Sequence, residues 1–114
     1  MIPRRGKIYL ARLPIDGNQQ TGLRPVIITQ NDKGCAHSTR VHIVPLSSQV
    51  DKARHLPTHV LIQPTAENGL TRVSVAVAES LMSIQKENLI REFGTVCEDD
   101  YDRLAQAIRI HLAI

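Results

Sequence analysis

Tryptophan is absent from this 114-residue chain, and Tyr9, Phe93 and Tyr101 are its only aromatic residues. Its interior therefore cannot be organised around large rings, and aliphatic side chains must fill it instead. Cysteine is scarce as well. Cys35 and Cys97 are too far apart in sequence for a C-x-x-C pair, so no disulfide framework is implied, and both are expected as reduced thiols in the cytosol. Long apolar runs are missing too: nowhere do the roughly 18 residues needed to span a membrane run together. The basic start Met1-Ile2-Pro3-Arg4-Arg5 leads into no apolar stretch of signal length, so the expectation is a cytoplasmic protein with no membrane contact. Internal repeats and long polar linkers are lacking, which leaves one domain over residues 1–114.

What the chain does have is branched aliphatics. Val, Ile, Leu and Phe make up 33 of 114 residues, well above the roughly 20% below which a chain stays disordered. Short runs of them, bounded by turn residues, predict strands at Lys7 to Ala11, Val26 to Gln30, Val41 to Leu46, Val60 to Gln63, Ser74 to Ala78 and Met82 to Gln85. Pro14, Gly17, Gly22, Asn31-Asp32-Lys33-Gly34, Pro57 and Asn68-Gly69 punctuate them. Six short strands in one small domain predict a mainly β fold, a single barrel-like sheet. The end of the chain differs. Tyr101, Leu104, Ala105, Ile108 and Leu112 fall on one helical stripe behind Glu98-Asp99-Asp100, whose charges suit a helix N-terminus. A C-terminal amphipathic helix is expected, packed on the barrel or on a second subunit.

Charge is unevenly shared. The net value is +3, but residues 1–72 carry ten Lys/Arg against four Asp/Glu, while residues 73–114 carry four against seven. The basic part suits a surface that meets phosphates. Within it, Gly17-Asn18-Gln19-Gln20-Thr21-Gly22-Leu23-Arg24-Pro25 reads as a polar loop ending in an arginine held by a proline and the strand that follows. Its glutamines offer amides that can read base edges. A second polar segment, Ser47-Ser48-Gln49, follows another strand, and its hydroxyls can donate to phosphate oxygens. Each segment also reads as an ordinary solvated turn.

Together with these segments, Arg5-Gly6-Lys7-Ile8-Tyr9-Leu10-Ala11, Gly22-Leu23-Arg24-Pro25-Val26, Ile28-Thr29-Gln30-Asn31-Asp32, Leu56-Pro57-Thr58-His59-Val60 and Ile110-His111-Leu112-Ala113-Ile114 give the chain a resemblance to the MazF/PemK-type toxins, small endoribonucleases of bacterial toxin-antitoxin systems. The resemblance implies an SH3-like barrel with a C-terminal helix, assembled as a homodimer whose interface forms a groove for single-stranded RNA or mRNA. It further implies a cognate antitoxin that fills this groove, and no cofactor or metal. Carried over, the catalytic arginine falls on Arg24 and the catalytic threonine on Ser47, where serine keeps the hydroxyl and loses a methyl. Asn18, Gln19, Gln20, Thr21, Gly22, Ser48, Gln49, Ser74 and Glu79 are the candidate substrate-binding residues. Gln19 stands where many relatives carry Glu. Glu79 matches an acidic residue proposed as a base in some members, and it could equally be a structural partner for Arg72.

The chemistry implied needs few protein groups. RNA brings its own nucleophile, the 2′-hydroxyl, so the protein must supply geometry and positive charge, here Arg24 as electrostatic stabiliser and Ser47 as donor. The histidines offer a competing reading. His55 and His59 form an H-x-x-x-H pair, but Pro57 between them forbids the helical turn that would aim both rings at one metal. A site from Cys35, His37, His55 and His59 is the remaining metal alternative, and Cys97 is read as a small buried residue. Two other functions fit the same fold: a CcdB-type poison of topoisomerase (gyrase), and a barrel that binds RNA without cutting it.

Overall fold

A computed structural model describes residues 2–14, 21–50 and 56–114. Among them are seven strands: β1 (Lys7–Pro14), β2 (Thr21–Ile28), β3 (Arg40–Ser47), β4 (His59–Ile62), β5 (Ser74–Val77), β6 (Met82–Gln85) and β7 (Leu89–Thr95). Helix α1 (Asp32–His37) lies between β2 and β3, and α2 (Glu98–Leu112) ends the chain. All strand pairs are antiparallel, β1 with β2 and β7, β2 with β3, β5 with β3 and β4. Strand β3 changes partner along its length, pairing Arg40–Ile43 with β6 and then Leu46–Ser47 with β5. That bend turns the sheet into the barrel-like, mainly β architecture expected, with the helix at the C-terminus.

The continuous aliphatic runs arise because β1, β2 and β3 are buried on both faces. Alternate residues enter different cores. Ile8, Ile27 and Val44, adjacent in register, join Leu104 and Ala107 of α2 on one face. Tyr9, Val26, Ile28 and Ile43 join Cys35 of α1, Ile84 and Leu89 on the other.

Several expectations need correction. Segment 89–95 is a strand, missed because Arg91 and Glu92 interrupt its apolar pattern. Asn31-Asp32-Lys33-Gly34 starts a helix: the Asn31 side chain accepts from the Gly34 amide at 2.8 Å and caps α1. Strand β2 begins at Thr21 rather than Val26, so Arg24 stands inside a strand, opposite Ala11 of β1. On α2 the buried residues are Leu104 and Ala107, with Tyr101 and Ile108 partly buried. Leu112, on the same expected stripe, is 47% exposed. Cys97 is exposed, not buried, and its sulfur caps α2 by accepting from the Asp100 amide at 3.4 Å.

Candidate active site

The site begins at a fault in the β2–β3 ladder. Its pairs are Ile28 with Ile43, Ile27 with Val44 and Val26 with Pro45, and there the pairing stops. Continued two residues further, the same register would set Arg24 opposite Ser47. Both strands have a proline at this point, Pro25 and Pro45, and a proline has no N–H to give to the ladder. On the opposite edge of β3, Ser47 pairs with Val75 of β5. The strands part, and the space between them is a groove of about 660 Å³.

Arg24, Ser47, Ser48, Gln49 and Ser74 all line this groove. The Ser47 hydroxyl accepts from the Gln49 amide at 3.1 Å. With that lone pair engaged, its single proton is free to be donated into the groove. Ser74 is buried and donates to the Arg72 carbonyl at 3.1 Å, so it shapes the wall. Arg24 is exposed, and its side chain has no hydrogen bond or ion pair with another described residue. It also borders a second cleft of about 240 Å³, shared with Leu13, Gly22, Pro45, Ser80 and Met82. Arg24 therefore stands where two clefts meet.

Several lining residues carried no signal in the sequence: Thr71, Arg72, Arg91, Glu92 and Phe93. Arg91 arrives through β1, because Leu10 pairs with Pro25 on one side and with Arg91 on the other. Two strand spacings, about 10 Å, separate Arg91 from Pro25 across that row. The turn carrying Thr71 and Arg72 is fixed by Asn68, a buried side chain whose oxygen accepts from the Thr65 and Leu70 amides at 3.0 and 2.9 Å and whose nitrogen donates to the Gln63 carbonyl at 2.9 Å. Adjacent Gly69 has φ +71°, and a β-carbon there would come within 2.1 Å of the Phe93 carbonyl oxygen. Only glycine lets this turn dock so closely on β7.

Glu79 is not among the lining residues, and Arg72 is not its partner. Its two oxygens are taken by the Thr58 hydroxyl at 2.8 Å and the His59 Nε2 at 2.7 Å. Burial is the largest influence on its carboxyl and by itself would raise the pKa. The hydrogen bonds from Thr58, His59 and its own backbone amide, with the His59 charge, outweigh burial and hold it below the ordinary value of 4.5. Asn18, Gln19 and Gln20 lie outside the described residues, as does His55. Thr21 is placed only by its backbone, opposite Pro14. Among the described residues no three His, Cys, Asp or Glu side chains converge as metal ligands would. Cys35 is buried with its thiol donating to the Gln30 carbonyl at 3.4 Å, and burial pushes its pKa up.

A barrel-like antiparallel sheet with a C-terminal helix packed over one core is the fold of a known toxin class. The chain belongs to the PemK-like, MazF-like toxins of type II toxin-antitoxin systems, whose family model matches residues 4–112. It is 36% identical over 115 residues to endoribonuclease EndoA of Bacillus subtilis (strain 168), covering 100% of this chain and 97% of that protein. Its fold resembles an endoribonuclease from a mycobacterial species, with a TM-score of 0.80 at 23% identity over 100% of this chain and 94% of that one. The MazE-MazF complex of Deinococcus radiodurans aligns with a TM-score of 0.78 at 16% identity, over 100% and 98% of the two chains. Among the described residues, no helix is long and apolar enough to cross a membrane.

Proposed function

We propose that the chain is the endoribonuclease of a toxin-antitoxin pair and cuts single-stranded RNA, with preference for sequence, at the point where Arg24 faces Ser47. The observation that carries this reading is the broken ladder, beyond which Arg24 and Ser47 both line one groove. The 2′-oxygen of one nucleotide gives up its proton to water and attacks the adjoining phosphorus, the bond to the 5′-oxygen breaks, that oxygen takes a proton from water, and a 2′,3′-cyclic phosphate and a free 5′-hydroxyl result. Negative charge gathers on the phosphorane oxygens during this exchange. The Arg24 guanidinium meets it with two forked donors, and the Ser47 hydroxyl supplies a third. A strand laid from the larger cleft to the smaller would carry its scissile phosphate past Arg24. Arg72 and Arg91 extend positive charge along the larger cleft.

The active assembly in this reading is a homodimer of about twice the 12.7 kDa chain. A cognate antitoxin is its partner in this reading and fills the same groove; an endoribonuclease from a mycobacterial species with a similar fold has been solved in complex with its cognate antitoxin. Exposed Leu23, at 57%, lies beside Arg24 on the groove wall and supplies apolar surface for either partner. The purified protein should cut a long unstructured RNA at a restricted set of sites in the presence of EDTA, and leave gyrase supercoiling unchanged. Inhibition of gyrase with RNA intact would favour the topoisomerase-poison reading, and RNA bound but uncut would favour a binding module.

A further inference from the structure

The three aromatic residues have different fates. Tyr9 is 1% exposed, and Tyr101 packs on the core beneath the Arg5 guanidinium. Phe93 alone reaches the groove. It does so through an irregularity in β7: Ile8 pairs with Gly94 and Tyr9 with Glu92, so Phe93 is the extra residue of a bulge. Bulges re-aim a side chain that regular alternation would send elsewhere. The result is a ring that packs partly on the core and partly lines the groove. The Phe93 backbone is held by the close approach of Gly69, and Gly94 next to it is pressed against the Glu67 carbonyl, where a β-carbon would come within 2.1 Å.

Over this ring lies Arg91, its guanidinium carbon 5.1 Å from the ring centroid. Arg91 is exposed and makes no hydrogen bond or ion pair with another described residue. Solvent and substrate are thus the remaining partners for its five donors.

Resting on the nuclease reading above, we propose that Phe93 and Arg91 form a stacking subsite for an unpaired nucleobase next to the scissile phosphate. Single-stranded RNA is held chiefly by stacking its splayed bases on aromatic rings and guanidinium planes. A ring held in place under an exposed guanidinium provides both surfaces, and the base slides between them or onto the guanidinium while a neighbouring phosphate meets the free donors. Glu92 does not compete for that cation, because its carboxylate is engaged by Lys7 at 2.9 Å and by the Tyr9 hydroxyl at 3.5 Å. Stacking tolerates every base, so this subsite contributes affinity and register, and base choice is made elsewhere in the groove.

The test uses a short RNA centred on a cut site mapped for the wild-type protein, made uncleavable by one 2′-deoxy nucleotide and carrying an abasic nucleotide at each position in turn. Phe93→Leu keeps apolar packing and removes the ring, and should weaken binding of the intact RNA roughly 5- to 100-fold. Phe93→Tyr should restore it. At one abasic position the wild type should lose affinity by the same factor, with Phe93→Leu losing nothing more. If Phe93→Leu binds like the wild type, or if its loss adds to that of every abasic position, the ring is only core filling and the subsite is wrong. Should Phe93→Leu fail to fold, Phe93→Trp gives a lone tryptophan whose emission is quenched by the intact RNA and not by the abasic one at that position. Absence of that contrast overturns the proposal. A wild type that cuts no RNA overturns the nuclease reading itself and this subsite with it, a result distinct from normal cutting with an inert Phe93.

Discussion

At Arg24 a charged side chain sits within a strand, exposed, with no described residue to neutralise it. A structural arginine is normally paired, so charge left open at a groove is charge available to a ligand. Arg24→Ala is expected to lower the cleavage rate to near background while far-UV circular dichroism and melting temperature hold. Ser47→Ala should cost roughly 10²–10³-fold in kcat, as for one lost transition-state donor, and Ser47→Thr should keep most of the activity. Glu79 belongs to a different account, since both its oxygens serve Thr58 and His59. Its folded pKa lies below 4.5, so its contribution to stability is present above that value and is lost as pH falls through the folded pKa. Glu79→Gln is expected to destabilise the protein by less than about 1 kcal/mol at pH 7, given its exposure. Denaturant titrations should show the difference disappearing in acid, with turnover on RNA altered less than twofold by the change. The strand-end settings of Arg24 and Ser47 were legible in the sequence from apolar runs beside turn signals, and their candidate roles from the family resemblance. Arg72, Arg91 and Phe93 were not, because only the docking of the 65–70 turn on β7 brings their segments together.

Elements follow the same division. Strands in which both faces are buried announce themselves as unbroken aliphatic runs, and β3 to β6 lie close to where composition places them. Strand β7 pairs on one side only among the described residues, with β1, and so can carry Arg91, Glu92 and Phe93 in a row without losing its place in the sheet. Its two register shifts, at Ile90 and Phe93, also break the alternation that would have revealed it. The turn at Asn68-Gly69 was read as punctuation, but its weight is greater, for it joins the groove wall to that strand. Gly69→Ala forces a β-carbon against the Phe93 carbonyl at positive φ, and should cost roughly 1–3 kcal/mol in chemical denaturation, with a lowered affinity for RNA. Gly34→Ala meets instead the flexible end of Gln30, at 2.5 Å from its Nε2. That substitution falls inside α1, where alanine is preferred, and is expected to stay within about 0.5 kcal/mol of the wild type.

For the molecule as a whole, the sheet and its two helices build two cores, and Arg24, Arg72 and Arg91 line one groove without an ion pair to another described residue. Folding alone gives no reason to place Arg24, Arg72 and Arg91 around one cavity, since like charges brought together oppose compaction. Binding of a polyanion gives that reason, and predicts that affinity for RNA falls steeply as salt rises. What the groove does to the polyanion is the central question, and the sparse set of groups around Arg24 answers it only if the substrate brings its own nucleophile. The most direct measurement replaces the single 2′-hydroxyl at the mapped cut site of a short RNA with hydrogen and compares cleavage and binding with the unmodified strand. Cleavage should stop entirely while the dissociation constant stays within a few-fold, and cleavage of the modified strand at the same bond would contradict the account.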